Sequence, residues 1–170
     1  MPKAVKIYVQ YIDAANKAVG KFSMYLVFAM MGVLLFESIS RTIFNVPHIW
    51  VVESAQFLMA AYYLLGGGYS LILEGHVRMD LLYGRWSARG QALSDLITAF
   101  LLIFYMVFLF TGGISASKYA LVYGQVNYTP WAPPLAPIKI IMTIGIFLML
   151  LQIIATFFKD LAKVRGETLP

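Results

Sequence analysis

Residues 93–115 read LSDLITAFLLIFYMVFLFTGGIS, a run in which Asp95 is the only charged side chain. At about 1.5 Å rise per residue, a helix of this length crosses a hydrocarbon core of roughly 30 Å. Three other stretches have the same character: Phe22–Phe44, Trp50–Leu73 and Leu135–Phe158. Because the connectors between them are short, we predict an all-α membrane protein, a single membrane domain over residues 1–170 with four transmembrane helices.

The composition agrees with this fold class and excludes several kinds of chemistry. Of the 170 residues, 61% are hydrophobic and 12% are charged, whereas a soluble domain is roughly 25% charged. The chain contains no cysteine, which excludes disulfides, thiolate nucleophiles and iron–sulfur ligation. The sequence also has no phosphate-binding glycine loop and no recognisable nucleophile–base arrangement. We therefore do not expect an enzyme.

The net charge of +5 is distributed unevenly along the chain. Of the 13 Lys and Arg residues, three belong to the connectors on one side of the bundle: Arg41, Lys118 and Lys139. The others flank the opposite helix ends: Lys3, Lys6, Lys17, Lys21, Arg78, Arg85, Arg89, Lys159, Lys163 and Arg165. Cationic residues near helix ends are retained in the cytoplasm, so we predict that both termini and the 74–94 connector are cytoplasmic. This placement indicates contact with membrane lipids rather than with nucleic acid.

The segment before the first span, residues 3–21, has two different faces. Lysines recur on one side with helical spacing, while Val9, Ile12 and other apolar residues fill the opposite side. The pattern predicts an amphipathic helix that lies at the membrane interface, with its cations near anionic head groups. The alternative is an ordinary anchor for the end of the first span.

Three charged residues lie near the outer end of the first helical hairpin. Glu37 and Arg41 are four residues apart and share one helix face, and the short hairpin brings Glu53 to a similar depth. An ionisable group in hydrocarbon costs at least ~2.5–3.5 kcal/mol near the middle of the bilayer. We therefore expect these three residues to face protein and to pair with one another, so that Arg41 and Glu53 form a salt bridge between the two helices. A proton or substrate site, or polar contact with a partner subunit, is the alternative.

A run of three glycines, Gly66, Gly67 and Gly68, lies inside the second span. Small residues in membrane helices let two backbones approach closely, so we expect helix or subunit packing here. A broken helix that lines a transport site is the alternative, and it requires a second interruption facing it. Gly112 and Gly113 are near a helix end and match that requirement poorly.

The two histidines, His48 and His76, fall in connectors on opposite sides of the predicted bundle. A haem or metal site needs histidines within the spans, or clustered with carboxylates. The sequence therefore predicts no metal site and no cofactor for this chain.

Several motifs follow one another in a recognisable order. Arg41 ends the first span, and Trp50 and Glu53 open the second. The glycine run leads into residues 74–80, EGHVRMD, and residues 131–134, WAPP, precede the fourth span. Over about residues 33–152 this order is similar to that of the small, DctQ-like membrane subunit of tripartite ATP-independent periplasmic (TRAP) transporters. The cytoplasmic family motif consists of Gly75, His76, Arg78 and Asp80. Glu37 has no counterpart in the family pattern.

The resemblance implies an accessory subunit in the inner membrane of a bacterial or archaeal cell. In that family the small subunit packs on and stabilises a large multi-span subunit that moves substrate together with sodium. Sodium is thus expected to bind the large subunit rather than this chain. A soluble periplasmic substrate-binding protein delivers the cargo, usually a carboxylate. The resemblance therefore implies support for sodium-coupled uptake of an organic acid, whose identity the sequence does not give.

We expect the outer connectors to help dock the periplasmic binding protein. They carry cationic and aromatic side chains with few acidic groups nearby, and the candidate docking residues are His48, Lys118, Tyr128 and Trp131. A transient polar contact of this kind is steered by charge. The alternative for Lys118 is a head-group anchor at the end of the third span.

The sequence is also compatible with two other functions. A small four-helix proton-coupled exporter also carries a Glu in its first span, here Glu37, although such proteins have shorter connectors. A membrane-anchor subunit of a respiratory oxidoreductase also has several spans, although haem ligation requires histidines inside them.

Overall fold

The computed structural model of the protein describes residues 3–73 and 88–164. Within those ranges it contains four helices: α1 (Lys3–Ile43), α2 (Ile49–Ile72), α3 (Ala88–Val122) and α4 (Ala136–Val164). Each contains a segment long and apolar enough to cross a membrane. The prediction of an all-α protein with four membrane-length helices is confirmed. The side of the membrane on which its ends lie stays a prediction.

The first helix is much longer than the predicted first span. It has 41 residues and is about 60 Å long, roughly twice the depth of the hydrocarbon core. No proline interrupts it. The helix runs unbroken through position 21, so no separate interfacial helix over residues 3–21 is distinguished from the span. The apolar face of its N-terminal part packs on protein, since Val9 and Ile12 are buried with Ala155 of α4.

The bundle has two central and two flanking helices. α2 and α4 pack on each other in the centre, α1 packs on α2 and also contacts α4, and α3 packs on α4. A second cluster of buried apolar side chains joins α3 to α4 through Met106, Leu150 and Ile153. Because the flanking helices each have few neighbours, much of their apolar surface lies on the outside of the bundle.

The first and last helices meet at one end of the bundle. The Lys159 ammonium on α4 forms an ion pair with the Asp13 carboxylate on α1, and the Tyr8 hydroxyl donates to the Leu151 carbonyl at 3.1 Å. This end carries the cation-rich segments, and we call it the inner end. The α1–α2 turn and the α3–α4 connector lie at the other end, the outer end.

The connector from α3 to α4 folds back on itself as a compact loop. Asn127 N–H donates to the Pro133 carbonyl, and Leu135 N–H donates to the Gln125 carbonyl, both at 2.9 Å. Gly124 has a φ of +56°, which glycine adopts without a steric penalty. These bonds satisfy backbone groups that an extended connector would leave to water. Contacts of Asn127 with Glu53 of α2 and of Gln125 with Lys139 of α4 hold the loop against the outer end of the bundle.

Candidate functional site

Glu37 holds the two helices of the first hairpin together at the outer end. Its carboxylate oxygens both lie 3.2 Å from the backbone nitrogen of His48, and one lies 3.1 Å from His48 Nδ1. His48 is the N-cap of α2, and its own side chain makes no capping bond. Glu37 therefore supplies, from α1, the acceptor and negative charge that stabilise a helix N-terminus.

Aromatic rings shield this contact from the surroundings. The His48 imidazole lies 5.2 Å from the Phe36 ring and 6.1 Å from the Trp50 ring, measured between centroids. Phe36 and Trp50 stack on each other at 6.2 Å. The side chains of His48 and Glu37 retain only 26% and 16% of their accessible surface. A hydrogen bond to a carboxylate is stronger in such a setting than in water.

The predicted pair between Arg41 and Glu53 is wrong. Within the described residues Arg41 is exposed and has no ion pair, and Glu53 is 6% exposed with its carboxylate 3.5 Å from Asn127 Nδ2. Arg41 lies in the last turn of α1, where a cation complements the helix dipole and its long side chain reaches the head groups. Glu53 instead joins α2 to the outer loop.

The glycine run does not break α2, which is continuous from Ile49 to Ile72. A Cβ at Gly67 would lie 3.2 Å from the Met149 sulfur, and one at Gly68 would collide with the Asn16 amide oxygen. Two of the three glycines thus lie at helix contacts, with α4 and α1 respectively. Gly66 differs, because a Cβ there would meet nothing within 4 Å.

A buried polar cluster joins α1 and α4 at the inner end, and sequence reasoning missed it. Asn16 Nδ2 donates to Gln152 Oε1 at 2.8 Å, and Gln152 Nε2 donates to Asp13 Oδ1 at 2.8 Å. Lys159 completes the chain through its ion pair with Asp13. Asn16 and Gln152 are each 1% exposed. The available clue was Gln152 itself, an amide in an otherwise apolar part of the fourth span.

The same cluster explains why residue 68 is a glycine. Asn16 Oδ1 is buried and has no conventional hydrogen-bond partner among the described residues. The glycine hydrogen that occupies the Cβ direction of Gly68 points at this oxygen. Such Cα–H···O contacts recur where helices approach closely. Only glycine offers both the space and the donor at this place.

The candidate docking residues lie in two different environments. Tyr128 is fully exposed at the tip of the outer loop, Trp131 is 42% exposed, and Lys118 is exposed on α3. His48 is engaged by Glu37 instead. Lys139 donates to Gln125 and so holds the loop in place. Three of the four predicted residues are therefore available to a partner at the outer end.

Two further predictions concern the cytoplasmic family motif and the absence of a metal site. The motif residues Gly75, His76, Arg78 and Asp80 lie outside the described residues. Among the described residues no group of three or more His, Asp or Glu side chains is arranged to hold a metal ion.

Four membrane-length helices, joined by polar contacts at both ends of the bundle, indicate a small multi-pass membrane protein. The family model for the DctQ component of tripartite ATP-independent periplasmic transporters matches residues 30–163, more than half of the chain, and the chain belongs to this family. It is thus the small component of a TRAP transporter. Members of this family generally belong to tripartite systems that also contain a large subunit and a substrate-binding protein. A comparison with curated proteins gives no match.

Proposed function

We propose that this chain is an accessory subunit that packs on and stabilises the large transport subunit without itself carrying substrate. The observation that supports this most is how polar side chains of the described helices are used. Glu37 caps α2, Glu53 holds the outer loop, and Asp13 is shared between Gln152 and Lys159. Groups bound in this way stabilise the bundle, whereas a transport pathway needs polar groups free to bind cargo.

The outer surface of the flanking helices supplies the area for packing. Large apolar side chains on α3 point away from the bundle: Phe100, Leu101, Phe104, Tyr105 and Phe108. The exposed side of α1 is equally apolar, with Tyr25, Phe28 and Leu35. In a bilayer such faces contact either lipid or another subunit, and membrane helices associate by packing of this kind.

At the outer end, we infer a docking contact for the periplasmic binding protein. Its candidate residues are Lys118, Tyr128 and Trp131, which are exposed at the same end of the bundle. The proposed assembly takes up an organic acid with sodium, the sodium being bound by the large subunit. A delivery contact of this type is modest, polar and weakened by salt.

Uptake measured against binding-protein concentration tests the docking role. Lys118→Glu should raise the concentration needed for half-maximal uptake by the reconstituted complex, because it reverses a charge at the contact. Lys3→Glu is the matched control, since Lys3 is an exposed cation at the inner end. A curve for Lys118→Glu that coincides with the control would assign Lys118 to head-group anchoring and move docking onto the large subunit.

A further inference from the structure

A groove between α1 and α2 opens on the side of the bundle at the inner end. Its volume is about 490 Å³, within the roughly 300–1,000 Å³ typical of ligand sites. Residues from both helices line it, among them Ser23, Met24, Tyr63, Gly66, Ser70 and Leu73. The groove is lined by apolar side chains, by two glycines of the run and by the hydroxyl-bearing residues Tyr62, Tyr63, Tyr69 and Ser70. Of its lining residues, Gly67 also contacts Met149 of α4.

The length of the groove corresponds to one leaflet of a bilayer. From Leu73 to Tyr62, both of which line it, the groove follows α2 for about 16 Å at 1.5 Å per residue. Half of a hydrocarbon core of roughly 30 Å is about 15 Å. An extended chain lying in the groove would therefore reach from the head-group region to the middle of the membrane.

Gly66 keeps the floor of this groove open. Gly67 and Gly68 are explained by their contacts with Met149 and Asn16, but a Cβ at Gly66 would meet no atom within 4 Å. Close helix approach thus gives no reason for a glycine here. Any larger side chain at position 66 would project into the groove and reduce its volume.

Among the described residues, the side chains beside the inner end of the groove on α1 are cationic. Lys17 lies seven residues, or about two turns, before Met24, and therefore on the same side of α1. Lys21 lies between Lys17 and Met24 in sequence and directly follows Gly20, which lines the groove. Both lysines are exposed, and neither has an ion pair with any residue that the structure describes. The nearest acidic side chain on α1, Asp13, is already bound by Gln152 and Lys159.

We propose that this groove binds one anionic phospholipid from the leaflet at the inner end. One acyl chain lies over Gly66, and the head-group phosphate contacts Lys17 and Lys21. The charge of the two lysines selects an anionic head group, and the length of the groove selects a lipid rather than a short soluble anion. Such a lipid would fill the space between α1 and α2 and stabilise their packing.

Native mass spectrometry of the purified complex with its large subunit tests the proposal. The complex is titrated with phosphatidylglycerol, with phosphatidylcholine, and with glycerol 3-phosphate as an anion without chains. One phosphatidylglycerol should bind more tightly than phosphatidylcholine, and glycerol 3-phosphate should not displace it. Lys17→Gln and Lys21→Gln should each weaken phosphatidylglycerol binding about fivefold and leave phosphatidylcholine binding unchanged.

The matched variants Gly66→Leu and Gly112→Leu separate groove filling from a general effect of leucine. A Cβ at either glycine meets nothing within 4 Å, but only Gly66 lines the groove. Gly66→Leu should abolish the retained lipid, and Gly112→Leu should leave it bound. Equal affinity of the unaltered complex for the two lipids would overturn the proposal without any variant. So would cross-linking from Ser70 to the large subunit in place of lipid.

Discussion

The carboxylate of Glu37 lies 3.2 Å from the backbone nitrogen of His48, so a side chain of α1 caps the N-terminus of α2. The sequence predicts that Glu37 can pair with Arg41, which shares its helix face, and a proton-coupled exporter would use Glu37 for coupling. The structure assigns it to the hairpin instead, because the start of α2 has backbone donors with no intrahelical acceptor.

Loss of this cap should destabilise the hairpin. Glu37→Ala leaves the His48 N–H without its acceptor and should lower the free energy of unfolding by about 0.5–2 kcal/mol, the range for loss of an N-cap. Glu37→Gln keeps an oxygen acceptor and should lose less. Thermal denaturation of the purified complex measures both. A stable Glu37→Ala protein that has lost only transport would indicate a coupling role.

Gly68 and Gly66 should respond oppositely to the same substitution. Gly68→Ala forces a methyl group into the Asn16 amide and should cost about 1–3 kcal/mol through overpacking. Gly66→Ala meets open space and should be neutral or slightly stabilising, because alanine favours the helix. Denaturation midpoints of the two variants, compared side by side, check this. Equal losses of stability in the two variants would mean that the three glycines act only through backbone flexibility.

Arg41 and Glu53 should behave as independent residues. Because Glu53 contacts Asn127 rather than Arg41, the effects of Arg41→Ala and Glu53→Gln on complex stability should add within about 0.3–0.5 kcal/mol in the double variant. The pair expected from sequence would instead give a double variant much less damaged than the sum. A double-mutant cycle on thermal stability distinguishes the two arrangements.

The membrane orientation is tested by cysteine labelling, since the native chain has no cysteine. Tyr128→Cys at the exposed loop tip and Lys3→Cys at the exposed start of α1 lie at opposite ends of the bundle. An impermeant thiol reagent added to intact cells should label only Tyr128→Cys. Labelling of Lys3→Cys alone would reverse the predicted orientation. Ser117 is a poor position for such a probe, because its hydroxyl is buried against Lys139 and Thr143.

Hydropathy and charge predicted the fold class because both act locally along the chain. The lack of charge in four long segments is sufficient to identify membrane-length helices. The pairing of polar groups was harder to predict, because it depends on how helices are rotated against each other. Glu37 and Arg41 share a helix face in sequence, yet Glu37 binds the hairpin backbone. Asn16 meets Gln152 only because α1 begins well before the predicted first span and packs along α4 there.

The accessory role itself is tested most directly by uptake into proteoliposomes. Vesicles contain this chain alone, the large subunit alone, or both, and each is given the binding protein, labelled organic acid and a sodium gradient. We predict uptake only where the two membrane subunits are together, and none with this chain alone even in the presence of the binding protein. Gradient-driven transport by this chain alone would contradict the account and favour the exporter.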